Sequence, residues 1–186
     1  DPDELAQETR RRIGTPREAR LLQDVGSRLA HMDRLGIDIQ VLHNTLFLYD
    51  MTNDPDAEAA LTRSWNKWLG ETWKVSDGRL PWSCMVPTRL LDEAKVQMRA
   101  AKENGAVAVC MRPLEGDRLI SDPYFYPVYE QAQKLNLAIA VHISNGNPES
   151  CDLYTSPVDP LSSNGFAKFR APTVTACHTL LMSELP

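Results

Sequence analysis

A histidine at the end of an apolar run is the residue in this sequence best placed to do chemistry. His142 follows residues 137–141, which predict a buried strand, and a polar loop begins at Ser144. In a barrel of alternating strands and helices, active sites lie at the carboxyl ends of the strands. An imidazole there can bind a metal ion or transfer a proton. A structural histidine at a strand end has the same spacing, so the pattern alone leaves both interpretations open.

Other polar side chains follow predicted strands in the same way. Arg112 ends the apolar run 106–111, and its planar guanidinium could pair with a substrate carboxylate. A salt bridge at the rim of the barrel is the alternative for Arg112. His43 and Asn44 close the predicted strand 37–42 and could contact substrate, or they could cap the loop that follows.

A long polar loop follows the His142 strand. It extends from residue 144 to about 167, and connections of that length are usually lids or binding loops. We therefore include Asn145 among the candidate substrate-binding residues. Disorder of the loop is the alternative interpretation.

The elements that must position these residues alternate along the chain. A helix is predicted for 16–35, and a helix follows each predicted strand, with Thr88 expected to cap the helix after the second one. The predicted strands are 37–42, 82–86, 106–111 and 137–141. Strands separated by helices pair in parallel through right-handed crossovers. Both a (β/α) barrel and an open doubly wound sheet fit this order.

Composition limits the remaining choices. The 186 residues are enough for one domain, 1–186, and the net charge of -5 disfavours nucleic acid as a partner. No apolar run is long enough to span a membrane. The sequence has neither a glycine-rich phosphate loop nor a Gly-x-Ser-x-Gly elbow. Cys84 and Cys110 fall in predicted strands as reduced, buried thiols, from which we expect a cytoplasmic location.

Four segments carry a family pattern in their order and spacing, namely 32–42, 105–113, 122–129 and 137–142. Together they resemble the amidohydrolase-related (amidohydrolase 2) family of metal-dependent hydrolases and decarboxylases, whose best-known type is aminocarboxymuconate-semialdehyde decarboxylase. The resemblance covers most of the chain. It implies a (β/α)8 barrel in which the strands seen here are the second to the fifth, so the expected fold is a partial TIM barrel of the α/β class.

The resemblance also implies a metal site. His142 matches the family's metal-ligating histidine on the fifth strand, and the fourth strand ends at Arg112 with no lysine, which favours one divalent metal ion, expected to be zinc. A first-strand His-x-His pair should precede Asp1, and a sixth-strand histidine and an eighth-strand aspartate should follow Pro186. We therefore expect a chain truncated at both ends, short of the roughly 250 residues of a complete barrel.

Two functions from different classes follow. In the first, the parent protein is a metal-dependent hydrolase or decarboxylase that acts on a small carboxylated or carbonyl substrate, and this fragment alone is inactive. In the second, the chain is a non-catalytic half barrel that serves as an interaction or oligomerisation module, because open sheet edges favour association. Neither hypothesis involves a membrane or nucleic acid, and both leave homo-oligomer formation open.

Overall fold

The computed structural model describes residues 17–48, 50–143 and 170–183. Within them, the helices are α1 (Arg17–Leu21), α2 (Val25–Leu35), α3 (Pro55–Lys74), α4 (Leu91–Glu103), α5 (Tyr126–Leu135) and α6 (Ala171–Met182). The strands are β1 (Trp82–Met85), β2 (Ala106–Met111), β3 (Leu114–Glu115), β4 (Arg118–Leu119) and β5 (Ala138–Val141). A single turn of 3-10 helix (Pro123–Phe125) leads into α5.

The main sheet is parallel and its strands lie in the order β1-β2-β5. The predicted strand 37–42 does not form as a strand. Within it, only Leu42 makes a parallel bridge, to Trp82 on the outer side of β1, because no strand among the described residues pairs with its other side. Spatial order therefore follows chain order without reversal. A doubly wound sheet reverses its strand order at a switch point, so the sequential order favours barrel-type winding.

The register keeps the carboxyl ends of the three strands in step. Met85 pairs with Cys110 across β1 and β2, and Met111 pairs with Val141 across β2 and β5. The short hairpin β3–β4 follows directly after β2, with antiparallel pairing. Residues that follow these strands therefore lie together at the carboxyl end of the sheet.

The core lies under the middle strands. All four residues of β1 are buried, and in β2 only Val107 is exposed, because α3, α4 and α5 cover these strands from outside. The outer segments are more open: Ile39 is 64% exposed, Val41 is 43% exposed, and β5 is partly exposed along its length. This is the pattern of a sheet whose two edges lack a neighbouring strand among the described residues.

The first helix differs from the prediction. The sequence predicts one helix over 16–35, whereas the chain forms α1 and α2 with a break between them, where Leu22 adopts a φ of 52°. Asp24 explains the restart, because its carboxylate accepts hydrogen bonds from the Gly26 N–H (2.9 Å) and the Ser27 hydroxyl (2.6 Å). Of the helices in the described ranges, none is long and apolar enough to cross a bilayer.

Gly105 makes the turn from α4 into β2. Its φ is +89°, and a Cβ placed on it would lie 2.2–2.4 Å from three atoms of the Trp73 ring. A side chain at this position would therefore be strained in its backbone and would also collide with the indole that packs against the core. The close approach of α3 and the start of β2 depends on this glycine.

We predict that Gly105→Ala lowers the free energy of unfolding by about 2–4 kcal/mol, the sum of left-handed strain and overpacking. Gly78→Ala is the matched control, because Gly78 has a φ of +73° with no atom within 4 Å of the added Cβ. The control should lose about 1–2 kcal/mol from strain alone. Urea denaturation measures both variants, and equal losses would show that the Trp73 contact is unimportant.

Two thiols are enclosed by the sheet. Cys84 in β1 and Cys110 in β2 are free and buried, and loss of solvent raises the pKa of each thiol to about 12. Cys177 in α6 is free and exposed. The prediction of reduced, buried thiols in these strands is therefore confirmed for Cys84 and Cys110.

We predict a large difference in thiol reactivity, because alkylation requires the thiolate. In the folded protein at mildly alkaline pH, iodoacetamide should modify Cys177 and leave Cys84 and Cys110 unmodified. In denaturant all three should react. Peptide mass spectrometry reads out each site, and rapid modification of Cys84 in the native protein would contradict the described packing of β1.

Candidate functional site

The two histidines predicted at strand ends face each other. His43 follows the Leu42 bridge and His142 follows β5, whose ladder is extended by a 2.9 Å bond from the His142 N–H to the Met111 carbonyl. Their ring centroids are 6.4 Å apart, and the ring planes meet at 63°. The structure therefore joins two candidates that lie far apart in sequence.

The short distance between the two histidine rings indicates that the sheet is curved. The two histidines belong to the first and last of four neighbouring segments, and three strand spacings in a flat sheet amount to about 14 Å. Side chains stand roughly perpendicular to a sheet, so rings on a flat sheet would stay about that far apart. The 6.4 Å separation indicates that the sheet curves and gathers the carboxyl ends on its concave side, as strands of a barrel do.

The His142 ring is held at one nitrogen. Its Nδ1 lies 2.5 Å from the Ile143 carbonyl oxygen, which can only accept a hydrogen bond, so Nδ1 is the donor. An imidazole anchored in this way at one nitrogen is the usual arrangement of a metal-binding or proton-accepting histidine.

The His43 ring is held by the neighbouring strand. Its Nδ1 lies 2.9 Å from the hydroxyl of Ser83, a fully buried residue of β1. Partial loss of solvent, and secondly the charge of His142, lower the pKa of the His43 imidazole. The neutral ring is thus favoured, and among the described residues its Nε2 has no hydrogen-bond partner.

Asn44 is buried with an unsatisfied oxygen. The side chain is 2% exposed, and its Oδ1 accepts no hydrogen bond from the described residues. The loop-capping alternative would require a bond from this oxygen to a nearby N–H, and the structure shows none in the part it describes. A buried amide oxygen without a donor is costly, which keeps Asn44 among the candidates for substrate contact.

Arg112 is held by carboxylates of this chain. It is 4% exposed; its Nε lies 3.0 Å and its Nη2 2.5 Å from Glu115 Oε2, while Nη2 also lies 2.9 Å from Asp50 Oδ1. The backbone N–H of Arg112 donates to Glu115 Oε1 at 2.7 Å. The alternative of a salt bridge at the sheet edge therefore describes these contacts. Nη1 is buried and has no partner among the described residues.

The ion pair belongs to a larger cluster. Arg89 joins Asp50 (3.1 Å) to Glu58 (3.5 Å), and the Thr88 hydroxyl donates to Glu58 at 3.2 Å. Thr88 is not the helix cap that the sequence predicts, because α4 is capped at Leu90 without a side-chain bond. We call the set Asp50, Glu58, Arg89, Arg112 and Glu115 the ion cluster.

Sequence reasoning did not find the acidic members of the ion cluster. Glu58 in α3 is 2% exposed although it is charged, and Glu115 follows Arg112 by three residues. A glutamate on the inward side of an amphipathic helix was the available signal. A cavity of about 230 Å³ lies beside the cluster and is lined by Thr88, Arg89, Glu115, Gly116, Asp117, Arg118, Tyr124 and Phe125.

The two histidines are the type of side chain that binds transition-metal ions. Imidazoles such as those of His43 and His142 are ligands that zinc and similar ions prefer. Within residues 17–48, 50–143 and 170–183, no group of three or more histidine, cysteine or acidic side chains is arranged around one ion. Asn145, the remaining candidate, lies outside the described residues.

Comparison with solved structures finds the same fold in several decarboxylases. The chain superimposes on 2,6-dihydroxybenzoate decarboxylase from Rhizobium with a TM-score of 0.73 and 22% identity, covering 88% of this chain and 51% of that one. The values for 5-carboxyvanillate decarboxylase from Sphingomonas paucimobilis are 0.73, 20%, 88% and 48%. For dihydroxybenzoic acid decarboxylase from Polaromonas, solved with manganese and 2-nitroresorcinol, they are 0.72, 20%, 88% and 50%.

The chain thus spans about half the length of these structures. At this identity the likeness shows a shared fold. Comparison with curated proteins finds no significant match. The family model described as Amidohydrolase matches residues 15–184, nearly the whole sequence. This chain therefore belongs to the amidohydrolase family.

Proposed function

We propose that the chain provides half of the barrel of a metal-dependent decarboxylase or hydrolase that acts on a small carboxylated or carbonyl compound. The observation that carries the proposal is His142 at the carboxyl end of β5, with its Nδ1 anchored on the Ile143 carbonyl. Family membership and the fold shared with two aromatic-acid decarboxylases support it.

His142 would hold one divalent metal ion through Nε2. When bound, such an ion supplies Lewis-acid polarisation of a substrate oxygen. Zinc remains our expectation for this chain because imidazole suits it, and manganese is the alternative that the Polaromonas decarboxylase supports. Asn44 and His43 lie at the same strand ends and would contact the bound substrate.

Arg112 would donate fewer hydrogen bonds to a substrate than the two that a guanidinium can give to one carboxylate. Nε and Nη2 are committed to Glu115 and Asp50, so only Nη1 has no partner among the described residues. A bidentate grip on a substrate carboxylate would require the internal pairs to break. In our proposal, Arg112 donates one hydrogen bond through Nη1 while Glu115 keeps it in place. Asn145 stays a predicted substrate contact.

A second function is favoured by the exposed edges of the sheet. Ile39 and Val41 on one side, and β5 on the other, expose apolar surface that a further strand or chain could cover. A non-catalytic half barrel that associates through these edges is therefore the second candidate. It differs from the first in that it requires neither bound metal nor turnover.

The cysteines and the net charge bear on the cellular location and the binding partners. The free thiols of Cys84 and Cys110 suit a reducing compartment, and we infer a cytoplasmic protein. The net charge of -5 disfavours nucleic acid, which leaves a small molecule as the expected binding partner.

His142→Ala should remove most of the metal and the activity from the protein expressed from its complete reading frame, because a ligand nitrogen is lost. Metal content by elemental analysis and turnover of aromatic carboxylic acids are the measurements. His178→Ala is the matched control, since His178 is exposed in α6 and should lose neither. Stoichiometric metal and normal turnover in His142→Ala would exclude the proposed site.

Arg112→Met should destabilise the protein by about 3–5 kcal/mol, because it leaves Glu115 charged and buried. Replacing both residues, with Arg112→Met and Glu115→Leu, should recover most of the loss. Arg63→Met is the control: its 2.6 Å pair with Glu93 is exposed and should contribute less than about 1 kcal/mol. Urea denaturation compares the variants, and a loss no larger than that of Arg63→Met would contradict the burial of the ion cluster.

A further inference from the structure

We propose that α6 forms the contact between two copies of this chain, packed as an antiparallel pair of helices about a two-fold axis. The surface concerned is the outward face of α6, which we define as Val174, Leu181 and Met182. The inference goes beyond the proposed function, because it uses neither the candidate metal site nor the exposed edges of the sheet.

The outward face of α6 is apolar although it points away from the rest of the fold. Ala176 is fully buried, and α6 packs against β5. Val174 stands two positions before Ala176 and Leu181 five positions after it, which at about 3.6 residues per turn places both on the opposite side of the helix. Val174 is 64% exposed, Leu181 is 84% exposed and Met182 is 74% exposed. The outward face therefore presents large apolar side chains to solvent.

The composition of α6 is that of a helix covered on more than one side. Residues 171–182 contain no Asp, Glu, Lys or Arg. A helix that is apolar all round is normally buried, whereas a surface helix carries charged residues on its outer side. The helix α4 follows the surface pattern, because six of its 13 residues are charged. The lack of any charge on α6 indicates that its outward face is covered in the assembled protein.

Completion of a barrel would not cover this face. The helices of a (β/α)8 barrel form an outer ring, in which each helix packs inward on the strands and sideways on its neighbours. The buried Ala176 marks the inward side of α6, so Val174 and Leu181 face out of the ring. We therefore infer that a separate molecule covers them.

Charge favours a second copy of the chain as that molecule. A two-fold interface places the same surface on both sides, so a neutral face avoids the like-charge repulsion that a charged face would meet in its own copy. Arg170 stands at the amino end of α6, where the helix dipole disfavours a cation, and the last turn of α6 has no basic residue. In an antiparallel pair, each Arg170 lies beside the carboxyl end of the other helix, where a cation is favourable.

The antiparallel pair also determines which side chains meet. Val174 and Leu181 are seven positions apart, so they lie about two turns from each other on the same side of α6. A two-fold axis midway between them places Val174 of each copy against Leu181 of the other.

The test is sedimentation velocity of the protein expressed from its complete reading frame. We expect a dimer, and we expect Leu181→Glu to raise its dissociation constant at least about tenfold, because an unpaired charge is buried at the contact. Val96→Glu is the matched control, since Val96 is 49% exposed in α4 and should leave the dissociation constant unchanged. Both side chains are exposed, so circular dichroism should show that both variants fold.

A double variant tests the antiparallel orientation. Val174→Lys combined with Leu181→Glu brings a lysine against a glutamate at two places in the antiparallel dimer, and it should recover most of the affinity that Leu181→Glu loses. In a parallel pair the same double variant brings like charges together. A dimer weaker than that of Leu181→Glu would therefore overturn the antiparallel pair.

Two other outcomes would overturn the contact itself. One is a monomeric protein, or a dimer that Leu181→Glu weakens no more than Val96→Glu does. The other is a protein that stays monomeric and sediments with phosphatidylcholine vesicles, which would assign the outward face to a membrane surface. Neither outcome decides the proposed function, because metal content and turnover of His142→Ala test that function separately.

Discussion

Parallel pairing of neighbouring strands is the constraint on which the arrangement of this site depends. Because β1, β2 and β5 are parallel and their carboxyl ends are aligned by the register, every residue that follows one of these strands lies at the carboxyl end of the sheet. His142, Arg112 and the pair His43–Asn44 reach that end from three different crossovers. If any one strand were antiparallel, the residue that follows it would lie at the opposite end of the sheet. The strand topology therefore decides whether these side chains can meet at all.

The second requirement is that the charges beneath the carboxyl end of the sheet are paired. Three carboxylates and two guanidiniums meet after β1 and β2, and several of them are almost completely buried. A single charge in this position would be very costly, and here each one has an opposite partner within 4 Å. The same pairing limits what Arg112 can offer to a ligand, because a guanidinium that balances internal carboxylates is not free to change partners.

Local pattern accounts for much of the fold. Apolar runs located β1, β2 and β5 to within one residue at each end. The break after α1 was missed because it depends on the local bonds of Asp24, which a run of helical spacing does not reveal. The ion cluster was missed for a different reason. Its members come from positions 50 to 115, and no local sequence pattern indicates that Glu58 and Arg112 belong to one network. The meeting of His43 with His142 likewise depends on sheet curvature.

The facing histidines have a consequence for the chain as a polymer. They are separated by about 100 residues, so anything that ties one ring to the other closes nearly all of the described sheet into a single loop. Clips across loops of this length restrict the unfolded ensemble strongly, by the same entropy that makes long-range cross-links stabilising. The contact between the two rings therefore spans nearly all of the described sheet, and it can form only once the strands between them have paired.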